Sequence, residues 1–309
     1  MNNELLRNVI KKQCPSVRRY EIRKKAVIYT SLDGKTFVAK KNNKNNILNT
    51  YNYLNSRGFG YVPRLVYQDN DAYVYEYVND CLTPSEQRIS DVIKMDALLH
   101  NKTVYYKETS LDEVKEIYEK LNEKIDDVFN YYDELVTKIE SFYYASPSEY
   151  LLIRNCSMIF SCLDFCKRRL EKWYEIASNK NKKREVLLHN NLDPSHLIRN
   201  DENILISWDY AVRDLPIYDF IKLYKNNYDK YDFSELYKEY SRRFPLLEEE
   251  RLLMFVILFI PWKIEFDSSE LKTTTKVGKL YNYLFTTDRL FMENEAKNTK
   301  EQNHYVNEQ

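Results

Sequence analysis

The chain has 309 residues, with 43% hydrophobic and 15% aromatic residues, enough to bury one large core or two smaller ones. Its 47 basic and 47 acidic side chains cancel. A balanced charge argues against a nucleic-acid binder, which needs a cationic surface to meet phosphates. The longest apolar run, 252–262, falls far short of the ~20 residues that cross a bilayer, and the charged first thirteen residues carry no apolar leader core. These features predict a chain with no membrane span and an intracellular, cytoplasmic setting. The five cysteines are odd in number and contain no CxxC pair, so neither a disulfide framework nor a zinc site is expected. Cys162 and Cys166, one helical turn apart, read as buried packing.

In chain order, 17–41 reads as strands. Apolar and β-branched runs at 26–30 and 36–40 flank Ser31-Leu-Asp-Gly34, a tight turn in which Gly34 can take positive φ. A helix follows over 45–57, with Ile47, Leu48, Tyr51 and Leu54 on one face and Gly58 as its stop. Strands at 62–67 and 72–78 complete a strand-rich segment. Beyond residue 83 helical periodicity dominates: 85–100, two helices within 110–145, and another carrying 150–177. A polar basic loop spans 179–184, and short extended runs fill 186–213. Helices then cover 216–224, 233–244, 247–259 and 278–292. The fold class is α+β: a small N-terminal lobe of antiparallel sheet with one helix (1–80), and a large helical lobe (81–293) with an insert at about 104–185. Residues 294–309 read as a disordered tail.

Three blocks carry the chemical signal. They are His189-Asn-Asn-Leu-Asp-Pro-Ser-His-Leu-Ile, Leu205-Ile-Ser-Trp-Asp-Tyr-Ala211 and Asp214-Leu-Pro-Ile-Tyr-Asp219. In order and spacing they resemble the aminoglycoside phosphotransferase and choline kinase family. Its signature runs His-(Gly/Asn)-Asp-Leu-x-x-x-Asn, then Ile-Asp-(Trp/Phe)-(Glu/Asp)-x-Ala, then Asp-Pro-x-x-Asp. Asn190 matches the choline-kinase form. Lys40, in Val38-Ala-Lys40, stands where that family carries its nucleotide lysine, and Leu98-Leu-His100 is similar to its Leu-His helix end. Pro261-Trp-Lys-Ile resembles the spore-coat kinase-like branch of low-GC Gram-positive bacteria. The resemblance covers most of the chain and fits least well over 104–185. It implies a two-lobed, protein-kinase-like fold that binds ATP, with nucleotide contacts at Lys40, Glu76, Val78, His196 and Ser207. It also implies loop anchors at His189 and Asp219.

The residues themselves disagree with that chemistry. Phosphoryl transfer rests on positioning and charge neutralisation, so it needs a carboxylate to take the hydroxyl proton and oxygen ligands for Mg²⁺. The three family positions hold Asn191, His196 and Ser207. Asn191 has no useful basicity, which forfeits general-base help of ~10²–10⁴-fold. His196 offers nitrogen to a metal that prefers oxygen, and Ser207 offers a neutral oxygen where a full charge is required. No acid occurs in 45–57, so Lys40 lacks its expected ion-pair partner, and no glycine precedes Gly34 to cover a phosphate. Asp193 and Asp209 are the nearby carboxylates that could stand in for the missing ones. The leading expectation is a pseudokinase: a binding or scaffold protein taking ATP with weak or no Mg²⁺ dependence, or a protein partner through 104–185, with a spore or envelope role by analogy. The alternative is an active ATP-dependent kinase acting on a hydroxyl of a choline-like or sugar-like compound through Asp209 and Asp193.

Overall fold

A computed structural model describes Ile10 and residues 16–23, 26–42 and 47–306, with side chains described through residue 294. The chain forms two compact units. One comprises residues up to Tyr105 together with Val186–Asp214, the other Tyr106–Glu185 together with the chain from Leu215 onward.

The first unit opens with three antiparallel strands, β1 (Val17–Arg23), β2 (Ala26–Ser31) and β3 (Thr36–Lys41). The β2–β3 turn closes when Gly34 N–H donates to the Ser31 carbonyl, at 3.1 Å, and Gly34 has φ +84°, a conformation a side chain would strain. Helix α1 (Ile47–Ser56) buries Ile47, Tyr51 and Leu54, the face read from the sequence; residues 45 and 46 lie outside the described residues. Strands β4 (Leu65–Gln68) and β5 (Ala72–Glu76) complete a five-stranded sheet of order β1-β2-β3-β5-β4. Val27, Tyr29, Ala39, Ala72 and Val74 form its core with Ile10. Helix α2 (Ser85–Thr103) follows, and then β6 (Tyr105–Glu108).

The second unit is helical. Helix α3 (Leu111–Glu140) is one helix of 30 residues, where two were expected. No glycine or proline interrupts it, and Val114, Ile125, Val128, Tyr132 and Ile139 keep one buried stripe along its length. Helix α4 (Pro147–Ser178) starts with a capping box, Ser146 with Glu149, and Pro147 in its first turn. Helices α5 (Ile217–Asn227), α6 (Phe233–Arg243), α7 (Glu248–Phe259) and α8 (Glu270–Val306) complete the unit. The last is longer than the 278–292 expected and runs into the segment read as a tail. Phe291 packs edge to face against Phe165, Phe255 and Phe259 in its core. Cys162 and Cys166 are buried on α4, and burial pushes the Cys162 thiol up to about 12. The four described cysteines are free; Cys14 lies outside the described residues.

The segment read as a basic loop over 179–184 instead enters β7 (Lys182–Leu188), because the apolar run at 186–188 continues the extended backbone and is buried. The strand carries the chain back into the first unit, where its end pairs antiparallel with β10 (Val212–Asp214). Between them lie β8 (Leu197–Arg199) and β9 (Asn203–Leu205), a two-stranded ribbon. Among the described residues, no helix is long and apolar enough to cross a membrane.

Candidate functional site

The site is built wholly within the first unit, where β3, β5 and the 189–211 segment converge. Lys40 sits near the end of β3. Its Nζ donates to Ser207 Oγ at 2.9 Å and lies 3.6 Å from Asp209 Oδ2. The two charged side chains are only 12% and 11% exposed, so the pair is largely withdrawn from water. The other carboxylate oxygen, Asp209 Oδ1, accepts from the hydroxyl of Tyr73 on β5, at 2.6 Å. Lys40 and Tyr73 are cross-strand partners in the β3–β5 register, so their side chains leave the same face of the sheet. Tyr75, two residues along β5, stacks on Tyr73 with ring centroids 6.1 Å apart. Burial first, and then the Asp209 charge, push the hydroxyls of Tyr73 and Tyr75 far up, so both remain protonated donors. Tyr51 of α1 is raised by the same burial, by Tyr75 and by Asp209.

The absence of an acid in α1 therefore does not leave Lys40 without an ionic partner. The partner comes from the 207–209 turn, 167 residues away from the lysine at Ser207. Sequence reasoning missed Tyr73 altogether. Its one available signal was its place opposite Lys40 in the antiparallel strands.

The turn itself is held in an unusual conformation. Ser207 has φ +70° and Asn190 has φ +59°, both left-handed. Asparagine tolerates that region better than most residues. Asn190 is further fixed by donating from Nδ2 to the Tyr210 carbonyl at 2.9 Å. Trp208 is buried, packs edge-on against His189 at 4.6 Å and donates from Nε1 to the Leu205 carbonyl. His189 is buried too, and its Nε2 lies 2.9 Å from the Ile206 carbonyl. A carbonyl can only accept, so Nε2 carries the proton.

The remaining sequence candidates are placed as follows. Asn191 is half-buried, and its carbonyl accepts from His196 Nδ1 at 2.7 Å, which fixes the proton of a neutral His196 on Nδ1 and leaves Nε2 the basic nitrogen. Asp193 caps the short 3₁₀ turn at Pro194–His196. Its Oδ1 accepts from both the backbone N–H and the hydroxyl of Ser195, at 2.9 and 2.6 Å. Glu76 ends β5; its backbone N–H donates to the Arg64 carbonyl, and its carboxylate meets Arg64 at 3.5 Å. Val78 follows, half-buried between the exposed residues Tyr77 and Asn79. Asp219 belongs to the other unit, buried in the first turn of α5. The structure thus gathers Lys40, Ser207 and Asp209 with Tyr73, and gathers Asn191, Asp193 and His196 around the 3₁₀ turn.

Asp193, at the 3₁₀ turn, engages Ser195 through Oδ1 alone. The Lys40, Ser207 and Asp209 group, as bonded here, does not fit a magnesium ion: the Ser207 hydroxyl is turned to an ammonium and both oxygens of Asp209 are engaged. A hard dication needs free anionic oxygens, and the Lys40 charge beside them would repel it.

No known family model matches the chain, and no curated protein matches it. Solved structures do. An aminoglycoside phosphotransferase from Alicyclobacillus acidocaldarius is similar over 91% of this chain and 93% of its own, at 13% identity and a TM-score of 0.64. The AMP-bound spectinomycin phosphotransferase matches over 94% of each chain, at 11% identity and a TM-score of 0.51. Choline kinase LicA from Streptococcus pneumoniae matches over 92% of this chain and 99% of its own, at 15% identity and a TM-score of 0.49. At such identities the likeness establishes the fold: this chain has that of the aminoglycoside phosphotransferases.

Proposed function

We propose that this chain is a pseudokinase: a phosphotransferase fold that takes an adenine nucleotide with little or no dependence on Mg²⁺ and serves as a binding or scaffold protein. The observation that carries this reading is the Lys40–Asp209 pair, with the Ser207 hydroxyl also bound to Lys40. At the position where the resemblance calls for a metal-holding carboxylate there is a hydroxyl, and it donates no charge to a metal but accepts from an ammonium. Lys40 is itself the cation at this site, suited to a phosphate oxygen once a nucleotide displaces Asp209. The AMP carried by the spectinomycin enzyme of the same fold supports a nucleotide at this site. The same reading assigns a protein partner to residues 104–185 and a spore or envelope setting, both from the sequence resemblance.

The alternative, an active kinase for a choline-like or sugar-like hydroxyl, has one observation in its favour, the Asp209 carboxylate beside Lys40. It requires Asp209 to release both its partners and Asp193 to act through Oδ2, since Ser195 engages Oδ1 alone.

Calorimetry with ATP, with and without Mg²⁺ or Mn²⁺, tests the proposal. Equal binding in all conditions is expected. Binding that requires the metal overturns it, and no binding in any condition removes the nucleotide from the reading. Asn191→Asp, His196→Asn and Ser207→Asp combined should yield at most weak ATP hydrolysis. Measurable phosphotransfer by the unaltered protein, lost in that triple variant, would establish the alternative.

A further inference from the structure

Strand β1 is at the end of the five-stranded sheet, and among the described residues it has a strand neighbour, β2, on one side only. Residues 18–23 are exposed on both faces of the strand. Antiparallel sheets ordinarily bury one face, and a strand of this length with an open edge is a template for another chain. Tyr20 and Ile22 are 57% and 45% exposed on one face. The opposite face carries Arg19, Glu21 and Arg23, because successive side chains alternate. Arg19 makes no ion pair among the described residues, and Glu21 meets Arg23 at 2.9 Å, with both side chains more than half exposed.

The order of these charges is self-complementary. In an antiparallel pairing of two identical strands about a two-fold axis, facing residues belong to the same face, so the register moves in steps that centre on one residue. The strand is regular from Arg19 to Arg23, with a bulge between Val17 and Arg19. Centred on Tyr20, the register sets Arg19 opposite Glu21 of the second copy, twice by symmetry. Centred on Glu21, it sets Glu21 against itself and Arg19 against Arg23. Centred on Arg19, it sets Arg19 against itself. Each of these alternatives brings like charges together, which destabilises a cross-strand pair. Centred on Ile22, it sets Glu21 against Arg23, which already pair within one strand at 2.9 Å, and leaves Arg19 without a partner in the strand.

We propose that β1 pairs antiparallel with β1 of a second copy about a two-fold axis at Tyr20, joining two five-stranded sheets into one continuous sheet. The interface is isologous: main-chain hydrogen bonds supply the attraction, and the two Arg19–Glu21 contacts select the register. Tyr20 then lies beside Tyr20 of the second copy, and Ile22 beside Arg18.

Sedimentation velocity over a wide concentration range tests this with four chains: the unaltered protein, Arg19→Glu, Glu21→Arg, and the two changes combined. The unaltered protein is expected to show a concentration-dependent dimer. Each single reversal should weaken it by about tenfold or more, since both symmetric contacts become repulsive at once. The combined reversal recreates opposite charges in the same register and should restore the dimer. A protein that stays monomeric throughout overturns the proposal. So does a dimer indifferent to both single reversals, which would sit on another face. So does a double variant as weak as the singles, which would refute the register. Both substituted positions, 19 and 21, are at the surface, so circular dichroism should show every variant folded.

Discussion

The Lys40→Met substitution tests the arrangement at the centre of the candidate site. At 3.6 Å, with both side chains about one-tenth exposed, the Lys40–Asp209 attraction is about 4–5 kcal/mol at an effective dielectric of ~20. Most of that offsets the desolvation of the two charges. The cost of the variant comes instead from stranding a withdrawn carboxylate, which for buried pairs runs to about 3–5 kcal/mol. Residual exposure and the retained Tyr73 hydrogen bond reduce this, so about 2–4 kcal/mol is expected. Because the chain folds as two compact units, a global unfolding curve would mix them. Hydrogen exchange followed in peptides covering β3 and β5 reads the first unit directly. Lys40→Met should speed exchange there, and adding Asp209→Asn should recover about half or more of the loss, because the neutral amide keeps an acceptor for Tyr73 without a stranded charge. A single-variant cost below about 0.5 kcal/mol, or a double variant equal to the sum of its parts, would show that the two charges do not share a desolvated pocket.

Other perturbations follow from the same geometry. Tyr73→Phe removes a 2.6 Å donor to the carboxylate and should cost about 1.5–3 kcal/mol in the same exchange measurement, with little change in the α3–α4 peptides. Asn190→Gly should be close to neutral, whereas Asn190→Val places a β-branched residue at φ +59° and should destabilise by about 1–3 kcal/mol, read as faster hydrogen exchange in first-unit peptides. Asp193→Ala uncaps the 3₁₀ turn and should cost about 1 kcal/mol; if nucleotide affinity is unchanged, Asp193 is a turn residue and not part of the chemistry. Hydrogen bonds from Lys172 and Arg243 hold the carboxyls of Glu248 and Glu239 below the usual glutamate value of 4.5. The unfolded chain then binds these protons more readily than the folded one. Stability contributed by the two pairs is present above about pH 5 and lost as acid carries pH down through the lowered values, which a thermal melt series from about pH 6 to about pH 3 would show. Glu239→Gln should flatten that decline.

Much of the scaffold was legible in the sequence. The β2–β3 hairpin announced itself through two β-branched runs around Ser31-Leu-Asp-Gly34, and the face of α1 through its apolar spacing. Reading two helices in 110–145 failed because its dense charge looked like an interruption. Only the packed stripe from Val114 to Ile139 shows that the charges ride on the outside of one helix. The basic run at 179–184 looked like a loop because lysine has no strand preference, but its last residues are drawn into β7 by the apolar triplet behind them.

At the site the division is sharper. Residue identity alone decides part of the chemistry: whether position 191 can act as a base, or 207 can carry a charge to a cation, is a property of the side chain and needs no coordinates. Which groups meet at the site is a matter of distance between residues remote in the chain. Lys40 finds Asp209, and Asp209 finds Tyr73 across 136 positions. These contacts depend on the β3–β5 register and on a left-handed turn at Ser207, and no local pattern encodes either. Chemistry that resides in one side chain could be read one residue at a time, whereas the ion pair in a desolvated pocket exists only after the sheet and the 207–209 turn have packed together.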